Sequence, residues 1–344
     1  MSRVDLSICI PTRNFGAFIG ETLKSILSQA TEHVEIVIVD GASTDNTADV
    51  VEQARRSFPR LRFHRREVNM GVDADLAKAV AMAEGRYCWL MSSDDVIVPR
   101  AVERMLDELQ SEHDVYVCNR IECDRDLRPV RQRPWLGPTR GDQVFRFASS
   151  ADFVTYFARA RSLGALFSYI SSIVVRRDKW MAVTHAEELD GCHYAHAFRL
   201  FSLLRANGSL KYIRAPLVLC RGDNDSFAES GMLARIALDL DGFTALAARL
   251  FDERPVLDAF KAVMRREHPW YYLAGLRSRT RDAGMWNELE RKLRAYGYSP
   301  GQLYVVNAVA RSSLILPIAR WLRQTLRWTE AAAFKLTRRR RAPG

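Results

Sequence analysis

Four polar clusters in the first hundred residues each follow a strand-like segment: Pro11-Thr12-Arg13-Asn14, Asp40-Gly41, Asn69-Met70-Gly71 with Asp73 behind it, and Ser92-Ser93-Asp94-Asp95. Neighbouring carboxylates such as Asp94 and Asp95 suit a hard divalent cation, which prefers oxygen ligands and neutralises phosphate oxygens once bound. The planar fork of Arg221 suits phosphate oxygens as well. Farther along, His193 and His196 stand at i and i+3 after Asp190. On a helix they share a face, and an imidazole with an ordinary pKa of about 6.5 suits proton abstraction at neutral pH. Each feature has a plainer counterpart. Asp-Gly is a turn signal, the acidic pair reads equally as a solvent-facing turn capping the helix after Pro99, Arg221 as a surface ion pair, and a helical histidine as a polar packing residue.

Such residues need elements that aim them at one place. Leu6–Ile10, Val34–Val39, Leu61–His64 and Tyr87–Met91 read as strands, with Pro11 stopping the first. Between them, Phe18, Ile19, Leu23, Ile26 and Leu27 recur at helical spacing, Thr44 or Asp45 can cap a helix through Val50, Val51 and Ala54, and a third helix spans about Asp73 to Ala83. Strand–helix alternation predicts an α/β fold: a mostly parallel sheet flanked by helices, with ligands bound beyond the carboxyl ends of the strands. The polar clusters fall at those ends. Neither the GxGxxG dinucleotide fingerprint nor a phosphate-binding P-loop occurs, which argues against a standard NAD site or a P-loop ATPase.

The segments Ser7-Ile-Cys-Ile-Pro-Thr-Arg-Asn14, Glu35-Ile-Val-Ile-Val-Asp40-Gly-Ala-Ser43-Thr-Asp45-Asn-Thr47, Asn69-Met-Gly71 and Gly85-Arg-Tyr-Cys-Trp-Leu-Met-Ser-Ser-Asp94-Asp95 resemble family 2 glycosyltransferases of the GT-A fold. The match covers about residues 5–100 and continues faintly to about 226. The Ser-Ser-Asp-Asp-Val form and the later Tyr-x-His segment are most similar to abequosyltransferase-type enzymes, which build bacterial O-antigen side branches. The resemblance implies sugar transfer from a nucleotide-diphosphate sugar to a saccharide acceptor, aided by a divalent cation (manganese or magnesium) and inverting at the anomeric carbon. It implies that Asp40 accepts hydrogen bonds from the base, in a pocket shaped by Pro11, Thr12 and Asn14. Asn69, Gly71 and Asp73 lie where the family closes over the nucleotide. Of the acidic pair, one carboxylate contacts the metal and the other reaches toward the ribose; Ser92 stands where the family's metal motif has its first acid. Relatives take the general base from a Glu-Asp pair ahead of a helical Leu-x-x-Arg segment. Counting back from Arg199 puts His193 at that position, with His196 and Asp190 as the other candidates. Residues 125–165, rich in Pro and Gly, read as loops near the acceptor subsite, where Trp135 either stacks on a sugar or packs in the core.

At 344 residues, 48% apolar and 27% charged, the chain is globular rather than disordered or fibrous. Its net charge of +10 is unevenly placed: from Arg254 onward 19 basic residues face 6 acidic ones. Beyond about Ser230 the pattern is helical. Residues 303–336 mix Leu, Val, Ile and Trp with Arg311, Arg320, Arg323 and Arg327, and Arg338–Arg341 follow; the longest uncharged run, Ala295–Ala310, is shorter than the roughly 20 residues a spanning helix needs. The division expected is 1–228 catalytic, 229–302 helical extension and 303–344 a basic amphipathic tail on an anionic membrane surface; a helical cap is the alternative. Six scattered cysteines without a CxxC pair read as buried thiols, and with a polar start they suggest a cytoplasmic protein, peripheral on the inner membrane face. The acceptor is expected to be lipid-linked, and nucleic acid is not an expected partner. Other readings are a nucleotide-sugar-binding protein without turnover, a nucleic-acid binder using the tail, and a nucleotidyltransferase.

Overall fold

The computed structural model describes residues 4–137, 141–184, 186, 189, 191–222, 231–312, 314–318, 321 and 325. The first half contains β1 (Leu6–Thr12), α1 (Gly16–Leu27), β2 (Val34–Asp40), α2 (Thr47–Ser57), β3 (Leu61–Arg65), α3 (Val72–Met82), β4 (Tyr87–Leu90), β5 (Val96–Ile97) and α4 (Ala101–Leu109). Then follow β6 (Val115–Cys123), β7 (Pro129–Arg131), β8 (Gln143–Arg146), α5 (Ser150–Arg159), β9 (Ile173–Arg176), α6 (Arg177–Ala182), α7 (Ala195–Arg205) and β10 (Ser209–Cys220). Five helices complete the described chain: α8 (Gly231–Leu250), α9 (Arg254–Glu267), α10 (Trp270–Arg277), α11 (Ala283–Ala295) and α12 (Pro300–Arg311).

Both β1 and β2 are buried along their whole length, which is why they read as continuous apolar runs rather than alternating ones. Their side chains still divide by parity. Cys9, Val37, Val39, Cys88 and Leu90 face one core, and Ile8, Ile10, Ile36, Ile38 and Trp89 face the other. Ile19 and Leu23 of α1, Val51 of α2 and Met105 of α4 close the second core. Leu76 of α3, Phe157 of α5 and Phe201 of α7 close the first. β1 runs through Pro11, which the sequence reading made its stop. Pro11 still registers with Val39, while β4 pairs with β1 only as far as Cys9–Leu90, so the missing N–H removes no rung on the β4 side.

The sheet order is β3-β2-β1-β4-β9-β6-β10-β5, with β7 on β6 and β8 on β10. β3, β2, β1 and β4 are parallel, as the alternation predicts. Beyond them the sheet is mixed: β9 runs antiparallel to both β4 and β6, and β6 and β10 are parallel. The reversal has a local cause. Ser171, just before β9, accepts the Trp89 indole N–H on its carbonyl and the Ser92 N–H on its hydroxyl, so β9 starts where β4 ends. Residues 125–165, expected as loops, contain β7, β8 and α5. A reciprocal cap between Ser149 and Asp152 starts α5, and its buried Phe153, Tyr156 and Phe157 share one face.

The C-terminal helices do not build a separate core. Phe243 of α8, Phe260 of α9, Trp286 of α11, and Leu303 and Val306 of α12 belong to the same cluster as Phe157, Phe201 and Tyr194. The Phe260 ring lies edge-on to Phe157 at 5.3 Å. α12 spans the expected 302/303 boundary and buries Leu303, Val306 and Val309, so this part of the tail is a packed cap. After it, Leu314, Ile315, Ile318 and Trp321 are exposed. Among the described residues no helix is long and apolar enough to cross a membrane. Arg320, Arg323, Arg327, Trp328 and Arg338–Arg341 lie outside the described residues. Cys9, Cys88, Cys118 and Cys123 are buried thiols, and none is in a disulfide.

Candidate active site

At the carboxyl ends of β1 and β2, Thr12 and Asp40 are register partners and both are buried. Asp40 Oδ1 accepts the Ser43 N–H at 2.9 Å and the Ser43 hydroxyl at 2.5 Å. Asp40 Oδ2 and Thr12 Oγ1 are buried without a hydrogen bond, although Arg65 Nε approaches Oδ2 at 3.4 Å. A buried polar atom left so carries a penalty on the order of 1–3 kcal/mol, which a hydrogen-bonding ligand can relieve. Asn14, at φ 58°, donates its N–H to Ser43 and accepts the Thr44 N–H at 2.8 Å, tying the two loops together. Pro11 is buried in β1 just before this end. Asp45 contributes from the other side, taking the N–H groups of Gly16 and Thr47.

The next loop turns at Gly71, whose φ of 85° favours glycine, and Asn69 Oδ1 accepts the Gly71 N–H. A Cβ on Gly41 would overlap the carboxylate of Asp75, so β2 and α3 meet here without a spare side chain. Asp73 points elsewhere: its Oδ2 accepts the His193 N–H at 3.0 Å, and its Oδ1 lies 4.0 Å from His196 Nδ1.

The acidic pair divides into two environments. Asp94 is half-buried and accepts the Ser92 hydroxyl. Asp95, read from sequence as solvent-facing, is 2% exposed. Its Oδ2 accepts Tyr169 Oη at 2.7 Å and Ser171 Oγ at 2.5 Å, and its Oδ1 accepts the Arg221 N–H at 3.1 Å. Burial, helped by the charge of Asp94, pushes the Asp95 carboxyl up to about 7 against these three donors. Carboxylate oxygens are hard donors of the kind magnesium and manganese take, and Asp94 is the more exposed of the pair; among the described residues no three His, Cys, Asp or Glu side chains gather as a metal site.

Arg221 is not a surface group. Its Nε donates to the Asp94 carbonyl, its Nη1 to the Arg125 carbonyl and its Nη2 to Glu21, with the guanidinium over the Phe18 ring. Trp135 is buried, donates its indole N–H to the Cys118 carbonyl and packs under Gly164. That is the packing role, not sugar stacking. Tyr169, Ser171 and Glu21 were not read from sequence: they meet Asp95 and Arg221 across 74, 76 and 200 residues, and no local spacing signals such pairs.

His193 and His196 are not a helical pair, because α7 begins at Ala195 and His193 precedes it at φ 63°. His196 is 7% exposed, and its Nε2 lies 2.8 Å from the Phe167 carbonyl. A carbonyl only accepts, so Nε2 carries the hydrogen, and Nδ1 faces Asp73. Asp190 lies outside the described residues. His193 lines a cleft of about 560 Å³ whose other walls include Leu233, Ala237 and Leu238 of α8 and Met285 and Leu289 of α11. The helical extension thus reaches the edge of the site.

A sheet whose parallel strands end at the buried Thr12 and Asp40, beside the Asp94–Asp95 turn and a buried imidazole, has the layout of a transferase of the GT-A type. The description "Glycosyl transferase family 2" matches residues 7–166. Abequosyltransferase RfbV of Salmonella typhimurium is 36% identical over 275 residues, 78% of this chain and 82% of that protein. Among solved structures, S. aureus TarS in complex with UDP-GlcNAc superposes with TM-score 0.61 at 15% identity, covering 98% of this chain and 92% of that one. The mannosyltransferase PcManGT of Pyrobaculum calidifontis, in complex with GDP-Man and Mn2+, gives 0.53 at 17%, covering 98% and 88%. The chain belongs to glycosyl transferase family 2 and is a hexosyl- or deoxyhexosyltransferase.

Proposed function

We propose that the enzyme moves a sugar from a nucleotide-diphosphate donor to a saccharide acceptor, lipid-linked and bound for an O-antigen or other surface polysaccharide, with inversion at the anomeric carbon. The observation that supports this reading is that Thr12 and Asp40 end neighbouring parallel strands with two buried polar atoms free of hydrogen bonds, while Asp94 follows β4 and the Asp73–His196 pair lies at the start of α3. Asp40 and Thr12 take the base. Asn14, Asn69 and Gly71 shape the loops around the nucleotide, and Arg221 fixes the acidic turn through the Asp94 carbonyl and the Asp95 carboxylate.

Asp94 would hold the divalent cation, whose contribution when bound is to neutralise the diphosphate oxygens. Asp95, with both oxygens already engaged, holds the turn. His196 Nδ1 takes the acceptor hydroxyl's proton as that oxygen bonds to the anomeric carbon, and the diphosphate leaves with the electron pair from the opposite face. The exposed Leu314, Ile315, Ile318 and Trp321, with the basic residues that follow, suit peripheral attachment to the inner face of the membrane. The name of the Salmonella relative supports a deoxyhexose donor.

The test is thermal stabilisation by a panel of nucleotide sugars with manganese, followed by product analysis. Release of a nucleoside diphosphate and an inverted linkage supports the reading. Pyrophosphate release makes the enzyme a nucleotidyltransferase, and no stabilisation by any nucleotide sugar rejects the donor site.

A further inference from the structure

Two groups from distant parts of the chain meet at His196. From the start of α3 comes the Asp73 carboxylate, with Oδ1 4.0 Å from Nδ1. From the segment ahead of β9 comes the Phe167 carbonyl, which fixes the hydrogen on Nε2. The other Asp73 oxygen accepts the backbone N–H of His193, three residues before His196 in the loop ahead of α7. Phe167 and His193 both sit at positive φ, 65° and 63°, a conformation that non-glycine residues keep only where their surroundings impose it. Among the described residues, the other charged or titratable groups nearby are Tyr194, with its ring 6.1 Å from that of His196, and Arg199 on α7. The Tyr194 hydroxyl donates to Asp239 of α8, itself paired with Arg235, while Arg199 donates to the Trp180 and Val183 carbonyls. Among the described residues, Asp73 is thus the carboxylate that faces the imidazole.

We infer that Asp73 is a positioning residue for the base: it holds the His193–His196 segment in place and carries the imidazolium formed when His196 Nδ1 takes the acceptor proton. Here the carboxylate arrives from α3 and acts through an imidazole. The inference rests on the assignment of His196 as base. The acceptor O–H bond breaks as its oxygen bonds to the anomeric carbon, its proton passes to Nδ1, and the imidazolium gains a carboxylate neighbour that is already in place.

The test is Asp73→Asn, which keeps an oxygen for the His193 N–H and removes only the charge. Steady-state transfer is measured from pH 5 to 9 alongside donor affinity by titration calorimetry, with His196→Ala and Asp73→Glu in parallel. Expected for Asp73→Asn are a 10- to 100-fold fall in kcat, an acidic limb of the kcat profile moved down by about one pH unit, and unchanged donor affinity; Asp73→Glu restores the limb in part. Weaker donor binding with an unmoved limb overturns the inference and makes Asp73 a nucleotide residue. Wild-type kcat and limb in Asp73→Asn, with His196→Ala inactive, overturn it while leaving His196 as base. Normal turnover in His196→Ala removes the base assignment itself and this inference with it.

Discussion

His268 offers a measurement of how strictly the shared core excludes charge. It sits at the end of α9, 6% exposed, stacked on Tyr272 at 5.7 Å, with neither ring nitrogen hydrogen-bonded. Burial drives its pKa down to about 4; the neighbouring Glu267 opposes this and Arg133 adds to it. An unfolded histidine titrates near 6.5. Between the two values only the unfolded chain binds the proton, so stability falls as pH falls from about 6.5 to 4 and is flat for this group outside that window. At about 1.4 kcal/mol per pH unit, the loss by pH 4 is about 3 kcal/mol, a large share of a typical 5–15 kcal/mol. His268→Phe keeps the stack and deletes both nitrogens. Urea unfolding followed by tryptophan fluorescence, at half-unit steps from pH 4.5 to 8, should show the variant gaining on the parent as pH falls. It should also gain on the order of 1 kcal/mol at pH 8, where two unpaired buried nitrogens are removed. Parallel stability curves, or a His268 resonance titrating near 6.5, would refute the argument.

Asp94→Ala should abolish transfer with little change in thermal midpoint, whereas Asp95→Ala should lose transfer and on the order of 3 kcal/mol of stability, because the Tyr169, Ser171 and Arg221 donors are left unpaired; activity assays with urea denaturation separate the two. Truncation after Ser312 removes eight basic residues against Glu330 and should abolish binding to anionic vesicles while donor hydrolysis persists, whereas truncation before Leu303 also strips three buried side chains and should unfold the chain. Vesicle co-sedimentation and circular dichroism read both outcomes, and vesicle binding by the shorter-cut protein would place the anchor elsewhere. In Gly242→Ala the new Cβ would stand 2.5 Å from the Tyr194 ring and 2.9 Å from the Cys192 carbonyl; a loss of about 1–3 kcal/mol with lower kcat is expected in denaturation and transfer assays.

The part of the fold legible in the sequence is the part whose signals are local. β1, β2 and β4 announce themselves as apolar runs and β3 more weakly as Leu61-Arg-Phe-His, and α3 lies within a residue of its expected limits because Gly71 and Gly85 bracket a regular pattern. The antiparallel β9 was not legible, since its direction is set by Ser171 meeting Trp89 and Ser92 across about eighty residues. α5 was hidden by the prolines and glycines before it, although Ser149 and Asp152 carried its start signal. The acidic turn was legible as a pair, but not the division of labour within it: that depends on Tyr169, Ser171 and Arg221 arriving from elsewhere. The same holds for Asp73, whose neighbours in sequence point toward the nucleotide loop while its carboxylate meets the histidines.

The wedge of β9 between β4 and β6 also sets an order of events during synthesis. When β4 leaves the ribosome, one edge pairs at once with β1, but its other partner begins only at Ile173. Elongation at roughly 5–20 residues per second leaves Tyr87, Cys88 and Trp89 as an open apolar edge for about 4–16 seconds. An unpaired edge of this kind templates pairing with other chains. Nascent chains stalled or cut between residues 91 and 172 should therefore collect in the insoluble fraction, and solubility should return only once β9 can be laid down.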